Sequence, residues 1–340
     1  MKRVCVIGGG AWGTVFGQLL VDAGAEVALV TRDAELAQQI SRGENPRNYP
    51  GVELAGIAAT ANPAEGLAGA ELVLIAVGAQ TAREVVTAIQ PLIPAEAVVA
   101  SLIKGIEVGS GQRMSEVLAQ AGGLDADRVA VVSGPNLAGE LLLREPSATV
   151  VACTDEAQAR RVASRIATPY LRPYTNPDVV GVEICGAMKN IVAMAVGAAR
   201  GLGYGYNTCA TLMTRGLAEM TRVGLALGAD LETFAGMAGF GDLAATCFSA
   251  RSRNFQVGNH LGQGLSIEAA ITATKGTAEA VSTSLAVQAV ARKHGVDVPI
   301  TDGVVAVTHG GVNVKEMGRE LLARPFRSEG SRYLAWPPTS

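Results

Sequence analysis

Val4-Cys5-Val6-Ile7-Gly8-Gly9-Gly10-Ala11-Trp12-Gly13-Thr14 decides how the N-terminal half folds. A β-favouring apolar run meets a glycine cluster, and a helical apolar pattern continues from Thr14 to Ala23. That order is strand, tight turn, helix start. Gly8 permits the turn, Gly10 lets a pyrophosphate approach the backbone, and Gly13 lets the helix close onto the strand. The free N–H groups and dipole of the helix N-terminus then face an anion. A glycine pattern alone is weakly specific. Here a second apolar strand, Glu26 to Thr31, follows at βαβ spacing, so a dinucleotide-binding reading is expected. A glycine turn in another kind of α/β domain is the alternative.

The end of that second strand reads Thr31-Arg32-Asp33. An acid there suits the free ribose hydroxyls of NAD, whereas an arginine suits the 2′-phosphate of NADP. The chain offers both. Arg32 comes first, so NADPH is favoured, with NADH left open and a solvated surface pair as the plain alternative.

Further strand-like runs, Leu72 to Val77, Val98 to Ile103, Val129 to Ser133 and Thr149 to Ala152, alternate with helical stretches. Such alternation predicts an α/β domain, a mostly parallel sheet covered by helices. Ligands bind such sheets in the crevice at the carboxyl ends of the strands. Lys104, in Ser101-Leu102-Ile103-Lys104-Gly105, and the turn Ser133-Gly134-Pro135-Asn136 fall there. Each has two readings, a ligand contact or an ordinary loop residue.

After Pro177 the pattern is helical. The predicted organisation is a Rossmann-like domain over 1–180, an all-helical domain over 181–330 and a disordered tail over 331–340. The length of 340 residues suits two domains. A net charge of −3 gives no electrostatic reason to expect nucleic acid or an acidic membrane, and only 4% of residues are aromatic. Cys5, Cys153, Cys185, Cys209 and Cys247 are odd in number and lack metal-ligand spacing, so neither disulfides nor a metal are expected. No uncharged apolar run reaches membrane-spanning length, and the first residues enter a strand. A cytoplasmic protein acting on small molecules is the expectation.

Within the apolar helix predicted over Val179 to Ala199 sits Lys189. Desolvation disfavours an ammonium, so a buried lysine is a candidate acid/base near neutral pH; a lysine snorkelling its head to water is the competing reading. A helix over about Asn207 to Gly228 places Arg215 and Glu219 four residues apart, which reads as a surface pair. Beyond it lie Gly239-Phe240-Gly241-Asp242-Leu243 and Ser252-Arg253-Asn254. The latter, at a helix start, suits a phosphate, or Ser252 is simply an N-cap. Asp242 could orient a lysine, accept a substrate hydroxyl or cap a helix. His260, His294 and His309 lie outside every such cluster, which disfavours a histidine base.

In order and spacing the chain resembles, over nearly its whole length, the bacterial NAD(P)-dependent glycerol-3-phosphate dehydrogenases. The likeness rests on Gly8 to Thr14, Ser101 to Gly105, Ser133-Gly134-Pro135, Gly181-Val182-Glu183-Ile184-Cys185-Gly186-Ala187-Met188-Lys189-Asn190, Thr214 to Met220, Gly239 to Leu243 and Ser252-Arg253-Asn254. It implies reversible reduction of dihydroxyacetone phosphate to sn-glycerol 3-phosphate, with Lys189 as proton donor and acceptor at the C2 oxygen. It further implies Lys104 at both substrate and nicotinamide, and Gly134, Asn136, Asn190, Asp242, Ser252, Arg253 and Asn254 around the substrate. On the cofactor side it implies Gly8, Gly10, Ala11, Trp12, Gly13, Arg32, Asp33, Tyr49, Ala138, Arg253 and Glu279. A homodimer is implied as well. Three positions depart from the pattern: Asn136 replaces a serine or threonine, Ala280 a glycine, and Ala11 a common serine. Two rivals remain. One is another two-domain hydroxyacid or 6-phosphogluconate-type dehydrogenase, which would not require the Ser-Arg-Asn arrangement. The other is a cofactor sensor without turnover, which would have no use for Lys104, Lys189 and Asp242.

Overall fold

The computed structural model describes residues 3–274 and 278–325. The chain divides into two compact units, one running through Lys104 and resuming over Gln112–Val179, the other made of Gly105–Gly111 and the chain from Val180 onward. The excursion of residues 105–111 was not foreseen. Its cause is Ile106, which is buried within the apolar cluster of the helical unit.

The first unit is built on ten strands: β1 (Arg3–Ile7), β2 (Glu26–Val30), β3 (Glu44–Asn45), β4 (Tyr49–Glu53), β5 (Ile57–Thr60), β6 (Leu72–Ile75), β7 (Val98–Ser101), β8 (Val129–Ser133), β9 (Ser147–Ala152) and β10 (Leu171–Asn176). Eight form one sheet in the order β10-β9-β8-β7-β6-β1-β2-β5, while β3 and β4 make a separate hairpin. All neighbours in the sheet run parallel except β8 and β9.

Alternation along each strand explains why the sheet is covered on both faces. Val4, Val6, Leu72 and Leu74 pack on one side with Phe16, Leu19 and Leu20 of helix α1 (Ala11–Asp22). Cys5, Ile7, Val73 and Ile75 pack on the other with Val117 and Leu118. Each such buried side chain contributes about 1.5–3 kcal/mol. The register aligns Ile7 with both Val30 and Ile75, and Ile75 with Ser101. The carboxyl ends of β1, β2, β6 and β7 therefore share one edge.

From residue 180 on, the described residues form helices and no strand. Val179–Gly201 is long and apolar enough to cross a membrane, but 89% of its most apolar window is buried inside the fold, which accounts for its hydropathy as a core helix. The Tyr206–Ala226 helix corrects one expectation. Glu219 is 1% exposed, and its carboxylate accepts bonds from Ile300 N at 2.5 Å and from Thr301 N and Oγ1 at 3.2 Å. Instead of pairing with Arg215 at the surface, it holds the start of the Pro299–Thr308 helix, where orphan N–H groups need acceptors. The tail over 331–340 lies outside the described residues.

Candidate active site

In the first unit the glycine loop is fixed by contacts that exclude a side chain. Gly8 has φ +123°, and a Cβ on Gly13 would stand 1.9 Å from the Gly8 carbonyl oxygen. Gly10 differs. It is exposed, a Cβ there would meet nothing within 4 Å, and it begins α1 without a side-chain cap. Open backbone at an uncapped helix start fits a pyrophosphate.

Other predicted residues gather around this loop. Trp12 Nε1 donates to Leu102 O at 3.1 Å, and the Tyr49 hydroxyl donates to Ala11 O at 3.1 Å. Lys104 Nζ donates to Gly134 O at 3.1 Å and lies 5.9 Å from the Trp12 ring centroid, within cation–π range. Trp12, Tyr49 and Ala138 all pack against the same apolar cluster. Gly134 has φ +141° and so needs to be glycine. Asn136 is 6% exposed and turned inward, its Nδ2 donating to Thr149 Oγ1 at 2.8 Å, while its Oδ1 is buried without a partner among the described residues.

At the end of β2 the two candidate readers have separated. Asp33 caps helix α2 (Ala34–Ser41) by accepting from Leu36 N at 3.0 Å, and it pairs with the guanidinium of Arg47. Those two contacts, the Leu36 amide foremost, hold its carboxyl below the usual range. Arg32 is exposed and has no side-chain partner among the described residues.

In the second unit Lys189 is 5% exposed and Asp242 is 1% exposed. Lys189 Nζ donates to Asp242 Oδ1 at 2.5 Å and to Thr246 Oγ1 at 2.7 Å; Thr246 in turn donates to Asp242 O at 2.7 Å. The snorkelling reading therefore fails, because the ammonium ends on buried partners. A π-helical turn, Met237–Gly241, delivers Asp242, and a Cβ on Gly239 would stand 2.2 Å from Phe234 O. Such turns recur at functional sites. Sequence reasoning missed Thr246, whose only signal is its place four residues beyond Asp242 on the Asp242–Phe248 helix.

The Ser252-Arg253-Asn254 segment opens the Arg253–Gly262 helix. Ser252 Oγ accepts from Phe255 N at 3.4 Å as an N-cap, so that alternative is realised. Asn254 is buried, and its Oδ1 accepts from Ala280 N at 3.1 Å, capping the Glu279–Lys293 helix. Arg253 is exposed, with no side-chain partner among the described residues. Asn190 is 7% exposed and donates to Gly186 O at 3.5 Å. Glu279 is half-buried at the start of its helix, and the adjoining Ala280 is fully buried.

Comparison with known proteins identifies the family. The family models described as NAD-dependent glycerol-3-phosphate dehydrogenase N-terminus and C-terminus match residues 3–159 and 178–319. A glycerol-3-phosphate dehydrogenase [NAD(P)+] of Streptomyces avermitilis is 48% identical over 329 residues, covering 96% of this chain and 98% of that one. Its counterpart in Corynebacterium urealyticum is 47% identical over 332 residues, covering 97% and 100%. The crystal structure of glycerol-3-phosphate dehydrogenase from Coxiella burnetii superposes with a TM-score of 0.90 at 33% identity, covering 95% of this chain and 99% of that one. With both units matched in order and nearly end to end, the chain belongs to the NAD-dependent glycerol-3-phosphate dehydrogenase family.

Proposed function

We propose that this protein catalyses the reversible NAD(P)H-dependent reduction of dihydroxyacetone phosphate to sn-glycerol 3-phosphate in the cytoplasm, as a homodimer, supplying the backbone of phospholipids. The observation that carries the reading is the buried Lys189, Asp242 and Thr246 set. In this assignment the first unit is the cofactor domain, through Gly8, Gly10, Ala11, Trp12, Gly13, Arg32, Tyr49, Lys104 and Ala138, with Asp33 engaged by its own helix and by Arg47. The second supplies the acid/base and the phosphate grip. Bound NAD(P)H supplies the hydride that reduces the carbonyl carbon.

Lys189 does the proton work. An ammonium has three N–H donors, and two of them are directed at Asp242 and Thr246, which leaves one for the substrate's C2 oxygen. As charge develops on that oxygen, Lys189 donates its proton and stabilises the alkoxide. In the reverse direction the neutral amine accepts the C2 hydroxyl proton. Asp242 and Thr246 keep Nζ from swinging, so the amine meets the oxygen without reorganising. Arg253, exposed and uncommitted beside the Ser252 cap, grips the phosphate in charge-assisted bonds. Ser252 and Asn254 present the helix start on which it sits, and Asn190, Gly134, Asn136 and Lys104 complete the substrate contacts. Glu279 is assigned to the cofactor.

The test is loss of reduced-nicotinamide absorbance when purified protein receives dihydroxyacetone phosphate with NADPH and, separately, NADH. Oxidation of either supports the reaction. No oxidation, with both nucleotides still bound, would leave the fold reading and remove the substrate reading.

A further inference from the structure

At the carboxyl end of β2, Arg32 stands beside Asp33, and Asp33 is doubly engaged by the Leu36 amide and by Arg47. Arg47 comes from a different element, the turn between β3 and β4. That turn is stitched to the glycine loop on both sides. Before it, the buried Asn45 donates through Nδ2 to Gly9 O at 3.2 Å and to Thr14 Oγ1 at 2.8 Å. After it, Tyr49 donates to Ala11 O at 3.1 Å. Asn45 Oδ1 also accepts from Asn48 N at 3.3 Å, closing the turn on itself. Arg47 is therefore not a loose surface arginine, although its side chain is 55% exposed. It is a guanidinium carried to the ribose-reading corner by a turn pinned to the pyrophosphate loop.

We propose that Arg47 is a cofactor-specificity residue: it draws the Asp33 carboxylate away from a ribose hydroxyl and, together with Arg32, presents positive charge to the 2′-phosphate of NADPH. The inference rests on the dinucleotide reading of this unit and extends it. Asp33 offers an acidic reader in sequence only. With its oxygens occupied by Leu36 N–H and Arg47, it is an anchor, and the corner holds two guanidinium groups against one carboxylate. A planar guanidinium grips phosphate oxygens in a fork, so the arrangement discriminates by charge and geometry together.

The experiment measures dissociation constants of NADPH, NADH, adenosine 2′,5′-bisphosphate and adenosine 5′-monophosphate by nucleotide fluorescence and competition, for the unaltered protein, Arg47→Gln and Arg47→Lys. Arg47→Gln should weaken NADPH and the 2′,5′-bisphosphate about tenfold or more while leaving NADH and the 5′-monophosphate within about twofold, since one charge-assisted contact to phosphate is lost. Arg47→Lys should recover part of that loss. Equal weakening of all four nucleotides would mean that Arg47 only supports the turn, and unchanged NADPH affinity would mean that it has no part in recognition; either overturns the proposal. Nucleotide selectivity that behaves as expected in a protein that does not turn over dihydroxyacetone phosphate would leave this inference standing and remove the proposed reaction.

Discussion

Replacing Lys189 by methionine keeps the length and volume of the stem and removes the ammonium. Two consequences follow, and they differ in kind. Asp242, 1% exposed, loses the cation that Nζ brings within 2.5 Å. Deleting one partner of a buried ion pair typically costs about 3–5 kcal/mol, because a charge is left uncompensated in a poorly polarisable interior. For a domain of this size that is a fall in melting temperature of roughly 6–20 °C. Turnover falls separately, by at least the ~10²–10⁴-fold typical of a positioned general acid, while NADPH affinity, to which Lys189 is assigned no contact, stays within about twofold.

A second variant separates stability from chemistry. Lys189→Met combined with Asp242→Leu removes both charges, and apolar replacement of a whole buried pair is often neutral or stabilising. Scanning calorimetry should show most of the melting temperature restored, and single-turnover kinetics should show the rate still lost. If Lys189→Met retains turnover within about tenfold, or if the double variant regains activity, the lysine is a structural residue and the acid/base assignment is wrong.

Three other expectations can be checked alongside it. Arg253→Ala should raise the Michaelis constant for dihydroxyacetone phosphate roughly 10- to 150-fold, the loss of a charge-assisted bond, with a smaller effect on kcat; an unchanged constant moves the phosphate elsewhere. Burial pushes Glu219 up to about 7, against the pull of the Ile300 and Thr301 amides and Arg222. A raised carboxyl titrates differently from a salt-bridged one: its contribution is fully present below the unfolded value near 4.5 and is lost as pH rises through about 7. Denaturant melts of the unaltered protein minus Glu219→Gln should therefore decline by on the order of 3 kcal/mol across that window, and parallel profiles would contradict the assignment. A Cβ on Gly258 would stand 1.9 Å from Met194 O, so Gly258→Ala should cost about 1–3 kcal/mol and reduce turnover by displacing a helix. A folded variant with normal stability and kinetics would show that the backbone contact is not needed.

The glycine loop was legible because its chemistry is local: Gly8, Gly10 and Gly13 act within a few residues of one another, and β1 and α1 follow from periodicity. Lys189 was legible as an anomaly, a charge in an apolar helix. Asp242 was legible only as one option among three, because it lies 53 residues away and only the fold brings it to Nζ; Thr246 was not legible at all. The same limit applies to Asp33. Sequence placed it as a ribose reader, but whether a carboxylate faces a ligand or caps its own helix depends on Leu36 and on Arg47 from another element. Asn254 is a parallel case, its Oδ1 engaged by Ala280 N. Strands β5 and β10 escaped notice for a different reason. They are the two edges of the sheet, where short runs such as Ile57–Thr60 and a proline at Pro173 are tolerated and the apolar signal is thin.

The packing of the helical unit bears on the proposed pairing of Lys189 as acid/base with Arg253 as phosphate grip. Lys189 lies on the Val179–Gly201 helix, and Ser252 to Asn254 open the Arg253–Gly262 helix. These two helices meet backbone to backbone. A Cβ at Gly197 would stand 2.1 Å from Phe255 O and one at Gly201 2.1 Å from Asn259 O; in return, Gly258 faces Met194 O at 1.9 Å and Gly262 faces Ala198 O at 2.2 Å. Small residues spaced four apart on both partners allow an approach that no side chain would permit, as in tightly packed helix pairs elsewhere. At such contact neither helix can slide or rotate without a clash. Asn254 extends the lock by capping the Glu279–Lys293 helix from the same segment. The amine and the arginine therefore belong to one rigid body, whose spacing is set by backbone contact rather than by flexible side chains. On that proposal, a phosphate held at Arg253 would position the carbonyl for Lys189 without a separate ordering step.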